Sequence, residues 1–119
     1  MYDGTVDLTT PAEAESAWWV QGASGPAVTI VGELDSTSFV AVMNVLLDAV
    51  FEGTGDITVD MTGVTFMDAA GFHALESARA WLDRRRSMVV RTSAAVRRLL
   101  EAVGSPHHLD LVNDLALSG

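Results

Sequence analysis

The segment from residue 57 to residue 72 places the strictest limit on how this chain can fold. Apolar and polar residues alternate over residues 57–61, and residues 64–67 are apolar except for Thr65. Such alternation is typical of a strand with one buried face. Asp68 follows directly, and an aspartate in that position accepts hydrogen bonds from the first free N–H groups of a helix. The segment therefore predicts a buried strand, a tight bend capped by Asp68 and the start of a helix.

The rest of the chain also alternates between strand patterns and helix patterns. Apolar spacings of three and four predict helices after Asp35, over about residues 70–85, and after Ser93. Their predicted inward residues are Phe39, Val42, Met43, Leu46, Leu47 and Val50; Phe72, Leu75, Ala78 and Leu82; and Val96, Leu99, Leu100 and Val103. Strands are predicted at residues 16–21, 27–32, 57–61 and 87–91, with a short extended piece around residues 109–111.

This order of elements predicts an α/β fold. Strands separated by helices form right-handed crossovers and hence a parallel sheet, whereas the Gly-rich turn at residues 22–26 predicts an N-terminal hairpin. Because each helix carries one apolar stripe, the helices are expected mainly on one face of a mixed, mostly parallel sheet. The predicted boundaries are a leader at residues 1–15, one domain at residues 16–113 and a tail at residues 114–119.

Composition narrows the classes of function. The net charge is −9, there is no Lys or Cys, and the seven Arg residues all lie between Arg79 and Arg98. An acidic surface repels phosphate backbones, which disfavours nucleic-acid binding. We interpret residues 84–86 as the cationic end of a helix rather than a nucleic-acid patch. No apolar run approaches the roughly 20 residues that span a bilayer, and the acidic N-terminal region is unlike a signal peptide, so a cytoplasmic protein without membrane insertion is predicted.

Three motifs occur in an order that resembles a known family. They are Gly32-Glu33-Leu34-Asp35, residues 60–68, and residues 91–100 followed by Gly104. Together they span roughly residues 27–112 and resemble the sulphate transporter and anti-sigma factor antagonist (STAS) domains. The resemblance implies the STAS fold and, in the antagonist branch, a protein that binds a kinase-type anti-sigma factor and so frees a sigma factor.

The resemblance also identifies a phosphorylation site that this chain lacks. The family bend reads Asp-Ser-Ser/Thr-Gly, and the first serine is phosphorylated by the anti-sigma factor. Here the bend reads Asp68-Ala69-Ala70-Gly71, so Ala69 stands at the lost phosphosite. Two interpretations of the alanines remain open: a smooth docking surface in a permanently binding-competent protein, or good helix formers in a domain that has lost the regulatory contact.

The resemblance implies that the bend and the loop at residues 33–38, which begins within the first motif, form the partner-binding surface. Its predicted residues are Glu33, Asp35, Ser36, Ser38, Asp68, Ala69, Ala70, Gly71 and Phe72. Asp68 is expected to cap a helix, and Gly71 to allow close approach of that helix to a neighbour or a partner. Ser36 or Asp35 is expected to cap the preceding helix. Hydroxyls in this loop are interpreted as caps in preference to substitute phosphosites.

No catalytic or cofactor site is predicted. The histidines are His73, His107 and His108, and they lack both a nucleophile and metal-ligand spacing. The turn at residues 22–25 has no following Lys and is no phosphate-binding loop. We therefore expect neither enzyme activity nor a cofactor nor a metal. Trp18, Trp19 and Trp81 are candidate anchors for a homodimer or a partner, and packing under the N-terminal leader is the equal alternative.

Two further functions stay open at this point. One is a non-phosphorylated STAS scaffold of a signalling complex, and the other is a STAS accessory subunit of a membrane transporter.

Overall fold

A computed structural model describes residues 5–8, 19–102 and 110–113 of the chain. The predictions made for Trp18, Val103, Gly104, the two terminal histidines, the tail and most of the leader lie outside these residues.

The described elements alternate between strands and helices along most of the chain. In order they are β1 (Thr5–Asp7), β2 (Val20–Gln21), β3 (Pro26–Leu34), α1 (Phe39–Glu52), β4 (Ile57–Met67), α2 (Ala69–Ala80), β5 (Met88–Thr92), α3 (Ala94–Ala102) and β6 (Asp110–Asn113). The strands form one six-stranded sheet in the order β1-β3-β4-β5-β6, and β2 pairs with β3.

The sheet is mixed and mostly parallel, as predicted. β3, β4, β5 and β6 pair in parallel, and β1 pairs in parallel with β3. The predicted hairpin is present, because β2 runs antiparallel to β3 with Val20 opposite Ala27. From β3 to β6 each crossover advances one position in the same direction, so right-handed connections place α1, α2 and α3 on one face of the sheet. This confirms the predicted fold class.

The core lies between that face and the helices. Alternate residues of β3, β4 and β5 are buried, while their neighbours on the other face are partly or fully exposed. The largest fully buried side chains include Ile30, Leu34, Leu46, Ile57, Met61, Leu75, Met88 and Leu100. Burial of such a side chain contributes about 1.5–3 kcal/mol, so this face dominates the stability of the fold.

The buried stripe of α1 differs from the predicted one. Its buried residues are Val42, Val45, Leu46, Ala49 and Val50, whereas Met43 and Leu47 are only half-buried. Because α1 contacts both β3 and α2, it buries side chains over a wider part of its surface than contact with the sheet alone would bury. The prediction relied on large apolar side chains and so overlooked Ala49, which is buried because it is small enough for close packing.

α2 is shorter than predicted. It ends at Ala80 rather than near residue 85, and its last turn tightens as Trp81 N–H donates to the carbonyl of Ala78. Asp83 then accepts from the backbone N–H of Arg85 at 2.9 Å, a turn contact that competes with a continued helix.

Arg86, which follows α2, stabilises a different helix from the one predicted. The guanidinium of Arg86 donates from Nη1 to the carbonyl of Val50 and from Nε to the carbonyl of Gly55, each at 2.7 Å. Val50 lies in the last turn of α1, where carbonyl groups have no partner within the helix. The expected pairing of a cation with a helix C-terminus therefore exists, but at α1 instead of α2.

The strand β1 was not predicted. It lies within the proposed leader and pairs with β3, with Thr5 opposite Thr29 and the Leu8 N–H bonded to the carbonyl of Val31 at 2.7 Å. Three residues are too few for a period-two pattern to stand out, and such a strand depends on the neighbour that it joins. Residues 5–8 thus contribute to the sheet.

We expect Arg86→Ala to lower the free energy of unfolding by about 1–2 kcal/mol, because two carbonyls near the end of α1 lose a charged donor. Urea unfolding followed by circular dichroism measures the change. The matched control is Arg85→Ala, whose side chain is 90% exposed and 3.7 Å from Asp83; it should cost less than about 0.5 kcal/mol. Equal losses in the two variants would contradict the assigned role of Arg86.

Candidate functional site

Asp68 holds the bend between β4 and α2. Its Oδ1 accepts hydrogen bonds from the N–H groups of Ala70 at 2.9 Å and Gly71 at 3.4 Å, and its backbone is extended. These N–H groups belong to the first turn of α2, where no carbonyl of the helix can accept them. Asp68 is thus the cap that the sequence predicted.

Gly71 is small because α2 begins directly against the end of β3. A Cβ atom at Gly71 would lie 2.5 Å from Cγ of Met67, 2.8 Å from Cγ of Leu34 and 2.9 Å from the carbonyl oxygen of Leu34. Gly71 is buried, so the close approach expected for this residue is made to a neighbour within the chain.

The loop between β3 and α1 is held by its own hydroxyl groups. Oγ of Ser38 accepts from the N–H of Asp35 at 3.0 Å and lies 3.1 Å from the carbonyl oxygen of Glu33, to which it donates. Oδ1 of Asp35 accepts from the N–H of Thr37 at 2.9 Å and from its hydroxyl at 2.6 Å. The loop therefore keeps a fixed shape without a partner.

The predicted cap of α1 is wrong. Neither Ser36 nor Asp35 caps the helix; Ser38 occupies the N-cap position and makes no side-chain bond to the helix. The physical reason is that the Ser38 hydroxyl already bonds to Asp35 and Glu33 and the Asp35 carboxylate to Thr37.

The fold brings the bend and the loop together at one edge of the sheet. β3 and β4 are parallel with Glu33 opposite Phe66 and Leu34 opposite Met67, and the N–H of Asp68 donates to the carbonyl of Leu34 at 3.3 Å. Of the residues predicted for the site, Glu33, Ser36 and Ala69 are exposed, Asp35, Ser38, Asp68, Ala70 and Phe72 are half-buried, and Gly71 is buried. Phe72 also packs against the core, so the accessible part of the site is smaller than the predicted set.

Two apolar side chains at this edge escaped the sequence analysis. Phe66, near the end of β4, is 48% exposed, and Val40, in the first turn of α1, is 65% exposed. The burial pattern of β4, which the sequence alone does not reveal, explains the exposure of Phe66: Val64 and Met67 are both buried although they lie three positions apart. A regular strand cannot bury both, so the strand must be irregular there and must turn an intervening residue outward. Register shifts do occur in the β3–β4 pairing.

The charge at this edge is negative. Glu33, Asp35 and Asp68 are acidic, and no Lys or Arg occurs in the first 78 residues. The pKa of Asp35 is lowered from its ordinary value, chiefly because the Thr37 hydroxyl donates to the carboxylate and also because the Thr37 N–H does. The edge thus presents exposed apolar side chains among acidic residues.

His73 is the one histidine within the described residues. His73 is exposed, with its ring centroid 6.2 Å from that of Phe72, and Oδ1 of Asp68 bonds to backbone N–H groups. Among the described residues, no group of three or more His, Asp or Glu side chains is placed to hold a metal ion.

The sequence over residues 20–117 matches the STAS domain. The chain belongs to the STAS domain family. That match covers most of the chain and includes the bend, the loop and all three described helices. No protein of curated function shows significant sequence similarity to the chain.

The fold is similar to solved structures of two anti-sigma factor antagonists. One comes from Mycobacterium paratuberculosis and is 21% identical, with a TM-score of 0.69; the match covers 84% of this chain and 88% of that chain. The other is SpoIIAA in its unphosphorylated form, 15% identical with a TM-score of 0.61, covering 84% of this chain and 93% of that chain. At these identities the likeness concerns the fold. Within the described residues, no helix is long and apolar enough to cross a membrane.

Replacing Gly71 with alanine should destabilise the domain by about 1–3 kcal/mol, because the added methyl meets the backbone carbonyl of Leu34 and must push α2 away from β3. Thermal or urea unfolding measures the loss. Ala69→Gly, at an exposed position in the first turn of the same helix, is the control, and its cost should stay below about 1 kcal/mol. A Gly71 variant as stable as the native protein would show that the approach is not tight.

Replacing Thr37 with valine should raise the pKa of Asp35 toward its ordinary value, because the variant loses the hydroxyl donor. In the native protein the folded-state pKa is depressed, so the stabilisation from Asp35 is present above its unfolded-state pKa and is lost as the pH falls through the lowered value. NMR titration of the carboxyl carbon measures the shift. Ser36→Ala is the control and should leave the Asp35 titration unchanged; an unchanged titration in the Thr37 variant would refute the assigned cause.

Proposed function

We propose that this protein is an anti-sigma factor antagonist that binds a kinase-type anti-sigma factor and thereby regulates sigma-factor-dependent transcription without being phosphorylated at the usual position. The proposal rests chiefly on one observation: in this chain of the STAS family, an exposed alanine, Ala69, directly follows the Asp68 cap. The fold shared with two anti-sigma factor antagonists supports the same assignment. Such a function places the protein in the bacterial cytoplasm.

The mechanism is stoichiometric binding. Ala69 has no hydroxyl to accept a phosphoryl group, so a partner kinase cannot add the charge of about −1.5 to −2 that would disrupt a closely packed interface. Asp68 also bonds to the N–H groups of Ala70 and Gly71, the donors that would otherwise attract an anion to this helix start. The surface therefore stays in one charge state, and release of the partner must be controlled elsewhere.

The partner surface complementary to this edge is basic with an apolar pocket. Glu33 is exposed and charged, and Phe66 and Val40 present apolar area at the same edge. Exposed aromatic side chains that become buried supply most of the binding energy in many interfaces, while the surrounding charges orient the partner. An acidic surface of this kind suits a protein partner rather than DNA, so the effect on transcription passes through the anti-sigma factor.

The first test uses a kinase-type anti-sigma factor from the same genome. Calorimetry measures its binding, and labelled ATP measures the incorporation of phosphate. The native protein should bind without incorporating phosphate. Ala69→Glu should weaken binding at least about tenfold, because it buries an added charge beside Asp68. Ala69→Ser should bind like the native protein and accept phosphate. Failure of correctly folded native protein to bind any such kinase, or phosphate incorporation into the native protein at the bend, would refute the proposal.

The second variant set locates the surface. Phe66→Ala and Val40→Ala should each weaken binding of the anti-sigma factor by about five- to thirtyfold, since each removes exposed apolar area at the edge. Trp81→Ala is the matched control: its side chain is 63% exposed but follows the other end of α2. Equal effects of all three substitutions would argue against the bend and the loop as the binding surface.

A further inference from the structure

Two exposed aromatic side chains contact each other on the surface of the helical layer. Phe51 is 61% exposed and Trp81 is 63% exposed, and their ring centroids lie 5.6 Å apart in an edge-to-face arrangement. Isolated exposed apolar residues are common, but an adjacent Phe–Trp pair forms one continuous apolar surface. We call this pair the aromatic patch.

The aromatic patch is separate from the candidate site. Phe51 precedes the last residue of α1 and Trp81 follows the last residue of α2, whereas Asp68 precedes the first residue of α2. The 12 residues of α2 span about 18 Å at the usual helical rise. The patch therefore lies at the opposite end of the helices, and its role does not depend on the function proposed for the Asp68 edge.

Charges of both signs surround the patch. Glu52 adjoins Phe51 at the end of α1, and Arg79 and Arg84 flank Trp81 in sequence; all three side chains are exposed. Within the described residues, neither Glu52 nor Arg84 pairs with an opposite charge. An apolar centre with the unpaired Glu52 on one helix end and the unpaired Arg84 after the other can match a copy of itself, because a two-fold axis brings each residue opposite a different residue of the partner.

We propose that a second copy of this chain docks on the aromatic patch, forming a two-fold symmetric homodimer in which Phe51 and Trp81 meet their counterparts and the acidic side of one copy faces the arginines of the other. A single acidic partner would match the arginines but would leave Glu52 against like charge. A second copy satisfies both signs at once.

The expected dimer is weak. Two side chains of this size expose roughly 250 Å² at these fractions, which is small beside the area that a stable dimer buries. The net charge of −9 on each copy adds long-range repulsion. Dissociation constants from micromolar to millimolar are therefore expected, so that the protein changes from monomer to dimer over an accessible range of concentrations.

Sedimentation equilibrium on the full chain, from about 1 µM to about 1 mM, tests the proposal. The native protein should be monomeric at the low end and increasingly dimeric at the high end. Trp81→Ala and Phe51→Ala should each raise the dissociation constant at least about tenfold. Val40→Ala, which removes a side chain 65% exposed at the other end of α1, should leave it unchanged. Native protein that stays monomeric throughout, or a dimer indifferent to Trp81 and Phe51, overturns the proposal.

Charge reversal tests the two-fold arrangement. Glu52→Arg and Arg84→Glu should each weaken self-association, because each places like charges across the axis. An equimolar mixture of the two variants should regain dimer, since one contact then carries the reversed pair and the other carries the native pair. Circular dichroism checks that each variant is folded. Variants that associate like the native protein, or a mixture that remains as weak as its components, rule out this pairing of charges.

Anti-sigma factor binding by the same variants separates this proposal from the previous one. Trp81→Ala should weaken self-association and leave the affinity for the anti-sigma factor unchanged. Phe66→Ala should weaken the affinity for the anti-sigma factor and leave self-association unchanged. A result in which both properties fail together with an unchanged circular dichroism spectrum would contradict the independence of the two surfaces.

Discussion

The contact between α2 and the end of β3 fixes the geometry on which the rest of this edge depends. The carbonyl of Leu34 accepts the N–H of Asp68, and Leu34 side-chain and backbone atoms occupy the space that a side chain at position 71 would need. The same residue pairs with Met67 in the sheet. Because one residue contacts the strand, the bend and the helix start, the bend cannot move relative to the loop after β3 without loss of core packing.

This constraint explains why the bend can carry alanines. Asp68 and Gly71 have structural roles, as a cap and as a point of close approach, and both match the family signature. Ala69 is exposed and Ala70 is half-buried, and the structure makes no use of a hydroxyl at either position. Under the proposed function, the residues that build the bend are distinct from the position that would carry a phosphoryl group, so the bend keeps its shape with alanine there.

The sequence predicted those features that depend on local chemistry. The Asp68 cap, the hairpin and the order of strands and helices follow from short-range patterns, and the motifs of the family located the edge. Features that depend on a distant neighbour were missed. The sequence contains nothing local that assigns the guanidinium of Arg86 to a helix more than thirty residues away, and the outward turn of Phe66 follows from the register of β4 against β3.

The parallel topology also determines where charge accumulates. Each crossover from a strand to the next places helix N-termini at the carboxyl edge of the sheet and helix C-termini at the opposite edge, so the dipoles of α1 and α2 favour acids at the first edge and cations at the second. Asp35, Asp68 and Arg79 follow this rule, and Arg86 supplies its donors to the end of α1. The remaining arginines lie in the loop after α2, in β5 and in α3.

Glu52 departs from that rule. It is a carboxylate at the C-terminal end of α1, where the dipole disfavours negative charge. Arg86 donates to the carbonyl of Val50 in the same turn, but no Lys or Arg within the described residues forms an ion pair with Glu52. Intramolecular stability therefore gives no reason for an acid beside Phe51. An arginine supplied across a two-fold axis does give one, since it would pair with the carboxylate, whereas Arg86 is already bonded to the carbonyls of Val50 and Gly55. The same unfavourable placement that weakens the isolated helix would then favour association of two copies over docking of an acidic partner.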